Sequence, residues 1–170
     1  MTSSALVALR VKATPARAFE VFTQEISLWW RPNGLFQLTP RGDGELRFDP
    51  GPDGRLVTKL PNGKEFEIGR ITIWSPGERL AFTWRQASFA PEQLTHVDVR
   101  FEAGEETRIS VEHRGWDSVP QEHVARHGFP LPVFFCAARP SIGRRCWPAF
   151  RVPFSVPDAR NAMFPSRPRA

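Results

Sequence analysis

Hydrophobic and polar positions alternate through residues 5–12, with Leu9 and Val11 on one face, and this period of two predicts a strand. The period then changes. Thr14 and Pro15 supply an N-cap and a proline for the first helical position, and Ala18, Phe19, Val21 and Phe22 recur at helical spacing. A second short helical turn is expected to carry Ile26, Trp29 and Trp30 and to end at Arg31-Pro32-Asn33-Gly34. From residue 35 the period returns to two, and strands are predicted at 35–38, 45–49, 56–59, 66–74, 79–85, 95–102 and 107–114. Turn residues separate them at close intervals, as in Arg41-Gly42-Asp43-Gly44, Gly51-Pro52-Asp53-Gly54, Pro61-Asn62-Gly63 and Ser75-Pro76-Gly77. Links this short join antiparallel neighbours. In the last two strands Val97, Val99, Phe101, Ile109, Val111 and His113 share one face, while Asp98, Arg100, Glu102, Arg108, Ser110 and Glu112 share the other. That is the pattern of a sheet buried on one side only. Ser118, Pro120 and Gln121 then mark the start of a helix through Val124, Ala125 and His127, which meets Gly128, Pro130 and Pro132 and is expected to kink there.

A chain of 170 residues with 41% hydrophobic content suits one domain, an α+β unit over residues 5–129. Charge sets the remainder apart. Residues 1–129 hold 16 Lys plus Arg against 17 Asp plus Glu, whereas residues 130–170 hold seven Arg against Asp158 alone, so the net +5 belongs to the tail. Eight of the 17 prolines also fall there, and the tail's aromatics follow no period. Residues 130–170 read either as a disordered Pro/Arg-rich extension or as a shifted reading frame of a GC-rich gene. Homologues encoded in this frame up to Ala170 would remove the second reading. The dispersed Arg139, Arg144, Arg145 and Arg151 accompany no nucleic-acid motif, so neither nucleic acid nor membrane is an expected partner. No apolar run of spanning length occurs, and Met1-Thr2-Ser3-Ser4 leads straight into the first strand pattern, so a cytoplasmic protein is expected. Cys136 and Cys146 are too few for a disulfide framework and read as reduced thiols.

Several segments together carry a resemblance over residues 6–129. They are Phe19-Glu20-Val21-Phe22-Thr23 with Trp29-Trp30, Phe48-Asp49-Pro50-Gly51, Gly69 to Pro76 with Arg79 to Trp84, and Thr107 to Trp116. The chain resembles bacterial START-like proteins of the SRPBCC superfamily, in the AHSA-type branch named for the C-terminal domain of the activator of the ninety-kilodalton heat-shock protein ATPase. The resemblance implies a helix-grip fold: a curved antiparallel sheet, two short helices after the first strand, and a long C-terminal helix enclosing a ligand cavity. Pro130, Pro132, Pro140 and Pro148 depart from that pattern, because they stand where the final helix should run.

Aromatic residues with few charges among them are the strongest functional signal. Trp29, Trp30, Phe36, Phe48, Trp74, Phe82, Trp84, Phe101 and Trp116 lie on elements that this fold would gather, with His113 at a strand end beside them. From the residues alone these are equally a pocket lining and a filled core, and the resemblance favours the pocket. Leu80, Phe82 and Trp84 should face the concave side on either account. His113 is either a hydrogen-bonded core histidine or a group that orients a ligand. His123 and His127 are spaced for one helix face, but no third ligand accompanies them, and no metal is expected. No phosphate loop, nucleophile elbow or Cys–His pair occurs, so no cofactor is implied. The function expected is a binding module for a small hydrophobic ligand. The alternatives are a cyclase or aromatase-like enzyme, with His113 and an inward Arg47, Arg70 or Arg85 as acid–base pair, and a co-chaperone-like interaction domain; a protein partner or a homodimer is compatible with any of these.

Overall fold

A computed structural model describes residues 4–30, 38–39, 44–120, 122–123 and 125. Strand β1 (Ser4–Val11) leads into helices α1 (Pro15–Gln24) and α2 (Ile26–Trp29). Six further strands follow: β2 (Glu45–Phe48), β3 (Arg55–Lys59), β4 (Glu65–Ser75), β5 (Arg79–Trp84), β6 (Thr95–Glu102) and β7 (Thr107–Arg114). They form one antiparallel sheet in the order β1-β7-β6-β5-β4-β3-β2. Each strand from β2 to β6 pairs with its successor, and only β1 joins out of sequence, through β7.

The helix begins where its cap predicts: the Thr14 side chain accepts the Arg17 amide at 3.3 Å, and Pro15 opens the first turn. Its spacing buries Ala18, Phe19, Val21 and Phe22 against the sheet. Burial of each large side chain contributes about 1.5–3 kcal/mol, more than helix propensity supplies in a ten-residue segment. The turn between β4 and β5 shows the same local logic. Glu78 N–H bonds Ser75 C=O at 3.0 Å, with Pro76 and then Gly77 at φ 77° between them, a dihedral that a side chain would resist.

Curvature comes from irregular pairing. Register shifts fall between Leu56 and Val57 on β3 and between Ile71 and Ile73 on β4, and such bulges bend a strand and increase its twist. Gly69 sits at the tightest crossing: a Cβ there would lie 1.6 Å from the Thr83 carbonyl oxygen. The curled sheet and the helices that follow β1 give the START-like helix-grip α+β fold. The expected C-terminal helix lies outside the described residues, apart from its first positions. There Trp116–Ser118 form a 3-10 turn, and the Ser118 hydroxyl donates back to Gly115 C=O at 2.9 Å. The strand expected at 35–38 also lies outside the described residues except for Leu38, which is buried in no strand.

The hydrophobic core lies on the concave side, where α1 meets β2, β6 and β7 and α2 meets β2. No helix among the described residues is long and apolar enough to cross a membrane.

Candidate functional site

Cross-strand register builds the concave face in rows. Phe82 on β5 stands opposite Val97 on β6, which stands opposite His113 on β7; one step along, Trp84 stands opposite Thr95. Alternation along β5 places Leu80, Phe82 and Trp84 on this side, as expected, and all three are buried.

The rings then make a continuous track. Trp29 meets Trp30 with centroids 6.0 Å apart, Trp30 meets Trp84 at 5.6 Å, and Trp84 meets His113 at 6.4 Å. His113 in turn lies 4.6 Å from Trp116, which lies 6.3 Å from Phe89. A second group holds Phe48 between Phe82 at 5.3 Å and Trp74 at 6.4 Å. Phe19 links it to Phe101, with centroids 5.1 Å from Trp74 and 5.4 Å from Phe101. Most of these contacts are edge-on or tilted, the arrangements that ring quadrupoles favour. Trp30 and Trp74 are only partly buried and close the margin of the core.

His113 is the polar member of the track. Its side is closed to solvent, and burial, followed by the nearby charge of His96, pushes its pKa down to about 3. The ring is therefore neutral at ordinary pH. The Thr95 hydroxyl lies 3.1 Å from Trp84 C=O and 2.7 Å from His113 Nε2, and so ties the ring to the backbone of β5. A neutral imidazole with so depressed a pKa is a weak general base near neutrality.

Of the residues singled out in the sequence, Trp29, Trp30, Trp84, His113 and Trp116 come together in one track, and Phe48, Trp74, Phe82 and Phe101 in the adjoining group. Phe36 lies outside the described residues. The inward arginine does not form. Arg47 instead binds Asp49 and Glu65, Arg70 binds Glu67, and Arg85 is exposed, because each occupies a solvent-side position of the alternation or lies beyond its end. His123 is likewise engaged at both ring nitrogens, with Nδ1 accepting the Ala125 amide at 3.1 Å and Nε2 at 3.1 Å from Ser88 C=O. Its expected companion His127 lies outside the described residues.

Four residues of the site escaped sequence reasoning. Phe19 and Phe22 were legible only as a helix face, although Phe22 reaches Trp29 at 5.0 Å and Phe101 at 5.9 Å. Thr95, at the first position of its strand, gave no sign of bonding a histidine 18 residues away. Phe89 sits in the aperiodic stretch before β6, where no pattern marks a buried ring.

Comparison with known proteins agrees with this architecture. The family model described as activator of Hsp90 ATPase homolog 1-like protein matches residues 12–131, and the chain belongs to that family. Protein MLL2253 from Mesorhizobium loti superposes with a TM-score of 0.52 at 18% identity, covering 75% of this chain and 88% of that one. DynU16, from the dynemicin biosynthetic locus, superposes with a TM-score of 0.52 at 19% identity, covering 74% of this chain and 42% of its own. These two bear on the fold alone. An anthrahydroquino-γ-pyrone synthase shares 29% identity over 75% of this chain and 80% of its own, with a TM-score of 0.46. No curated protein matches the chain.

Proposed function

We propose that this protein is a binding module that holds a small, largely apolar, ring-bearing molecule against the concave face of its sheet. One observation carries the reading: the continuous track from Trp29 through Trp30, Trp84 and His113 to Trp116, in which the polar member is a neutral histidine. An apolar concave surface with a few fixed polar groups is what small-molecule sites are made of. Flat rings suit it because the offset and edge-on contacts already present among these side chains are those a ligand ring would extend. Trp29, Trp30, Phe36, Phe48, Trp74, Phe82, Trp84, Phe101, His113 and Trp116 are the residues proposed to line the site, and a small apolar molecule is the partner. Family membership supports the reading at the level of a fold that hosts ligands, without choosing the ligand.

Binding of the neutral fluorophore N-phenyl-1-naphthylamine tests this directly. Wild-type protein should enhance its emission saturably, and Trp30→Ala, at a partly buried position, should weaken the affinity about tenfold, the ratio expected from losing roughly 1.4 kcal/mol of ring contact. Trp84→Phe should have a smaller effect in the same direction while preserving the fold. Absence of saturable binding, or an unchanged affinity in both variants with native circular dichroism, would end the proposal. Where binding is saturable and weakened by these variants, native mass spectrometry of protein from its own host would identify the occupant.

A further inference from the structure

The outer face of the same sheet carries a second arrangement, built from the alternate positions of β5, β6 and β7. Register places Arg79 opposite Arg100, Ala81 opposite Asp98, Asp98 opposite Glu112, and His96 opposite Arg114. Ala81, with only a methyl side chain, lies among them. The result is a groove of about 490 Å³ whose lining includes Thr72, Ile73, Arg79, Ala81, Asp98 and Arg114. That volume falls in the range of small-molecule sites.

Charge in the groove is unevenly matched. The Asp98 side chain is only 5% exposed, although it belongs to the outer face, because arginines cover it. Arg79 grips it with Nε at 3.1 Å and Nη2 at 2.5 Å from Oδ2, Arg100 approaches Oδ1 at 3.4 Å, and Arg114 stands 3.9 Å away. Burial pushes the Asp98 carboxyl up, but hydrogen bonding and charge from Arg79 and Arg100 outweigh it and hold the group below the ordinary carboxylate range. It is thus ionised at neutral pH and fixes the Arg79 guanidinium in place. Arg114 has one further carboxylate in reach, Glu112, at 3.8 Å. Three guanidinium groups face two carboxylates, and the contacts of Arg114 are longer than hydrogen bonds.

We propose that this groove is a second binding site, separate from the concave face, that takes a small organic carboxylate. The carboxylate would lie between Arg114 and the Nη1 edge of Arg79, which the grip on Asp98 leaves unused, and the apolar body would rest on Ile73 and Ala81. A planar guanidinium fork matches a carboxylate in geometry as well as in charge. Asp98 does not oppose this, since both its oxygens are already turned to arginine donors. Its role is to hold Arg79 ready, so that little ordering remains to be done on binding.

Benzoate and its neutral isostere benzamide are the probes, followed by amide chemical-shift perturbation on full-length protein. Benzoate should perturb amides of residues 72–82, 96–98 and 114–115, without displacing N-phenyl-1-naphthylamine, and benzamide should bind at least tenfold more weakly. Arg114→Gln removes only long contacts, so it should fold normally and weaken benzoate at least fivefold, whereas Arg79→Lys tests the fork with the charge retained and should also weaken it. Equal binding of benzamide, an unchanged benzoate affinity in Arg114→Gln, or shifts confined to the concave face would each overturn the proposal. Displacement of the naphthylamine by benzoate would do the same. Failure of naphthylamine binding alone would leave this site standing, so the two readings fall separately.

Discussion

On the inner face of the sheet, His113 is buried by excluding charge, whereas on the outer face Asp98 is buried by gathering charge around it. The two residues are close: Val97, which pairs with His113, is the chain neighbour of Asp98. Both are nearly inaccessible, at 1% and 4% exposure. The inner solution uses the hydrogen-bonding contact with Thr95 and a wall of rings, so the imidazole keeps its polar shape but gives up its proton. The outer solution keeps the carboxylate ionised through three guanidinium groups. Desolvation acts against the charged form in both places, and what differs is whether a compensating charge stands within hydrogen-bonding reach. The first arrangement would suit the proposed apolar ligand, and the second the proposed carboxylate.

Four substitutions test how deep that contrast runs, and the largest effect belongs to the inner face. Trp116→Ala removes a fully buried ring that packs on both His113 and Phe89, and the expected loss is about 3–5 kcal/mol, read by urea denaturation. A loss below about 1 kcal/mol would mean that the track is loosely packed and that Trp116 contributes little to it. The next effect is electrostatic. Because His113 titrates near 6.5 when unfolded and at about 3 when folded, the unfolded chain binds the extra proton between those values. The contribution of the neutral ring is therefore fully present above about pH 6.5 and declines by about 1.4 kcal/mol for each pH unit below it, until the folded form also protonates near pH 3. His113→Gln should flatten the stability profile between pH 6 and pH 4 while retaining a hydrogen-bonding group toward Thr95. An unchanged slope would assign acid sensitivity elsewhere.

Most of the scaffold was legible before the structure because each strand carries its own evidence: β6 and β7 alternate without a break, and Thr14-Pro15 announces α1. The side of the sheet on which Leu80, Phe82 and Trp84 lie follows from the same period. Other features depend on contacts between distant segments, and no local pattern encodes them. The close approach of β4 to β5 at Gly69 depends on both strands together, and an isolated glycine only suggests it. The His113–Thr95 bond joins two strands across a hairpin, and burial of Asp98 arises from arginines on β5, β6 and β7 together. Alternation correctly placed Asp98 on the outer face, but it could not distinguish an exposed carboxylate from one enclosed by its neighbours. The tail beyond residue 129 remains as the composition left it, outside the described residues.

The smallest expected effect separates an arginine that encloses a carboxylate from one that merely meets one. Arg70 bonds Glu67 through Nε at 2.9 Å and Nη2 at 3.2 Å, a contact as short as several in the outer groove. Its side chain is 66% exposed, however, and Glu67 is itself a third exposed, so water can take over both groups when the pair is broken. Arg70→Ala should therefore change stability by less than about 0.5 kcal/mol, and added salt should make little difference. Arg79→Ala should cost visibly more under the same conditions, because Asp98 cannot recover its hydration behind Arg100 and Arg114. Denaturant midpoints of the two variants, measured side by side at neutral pH, supply the check. If they coincide, Asp98 is hydrated in solution, and the outer face differs from the inner one in composition rather than in how it buries a charge.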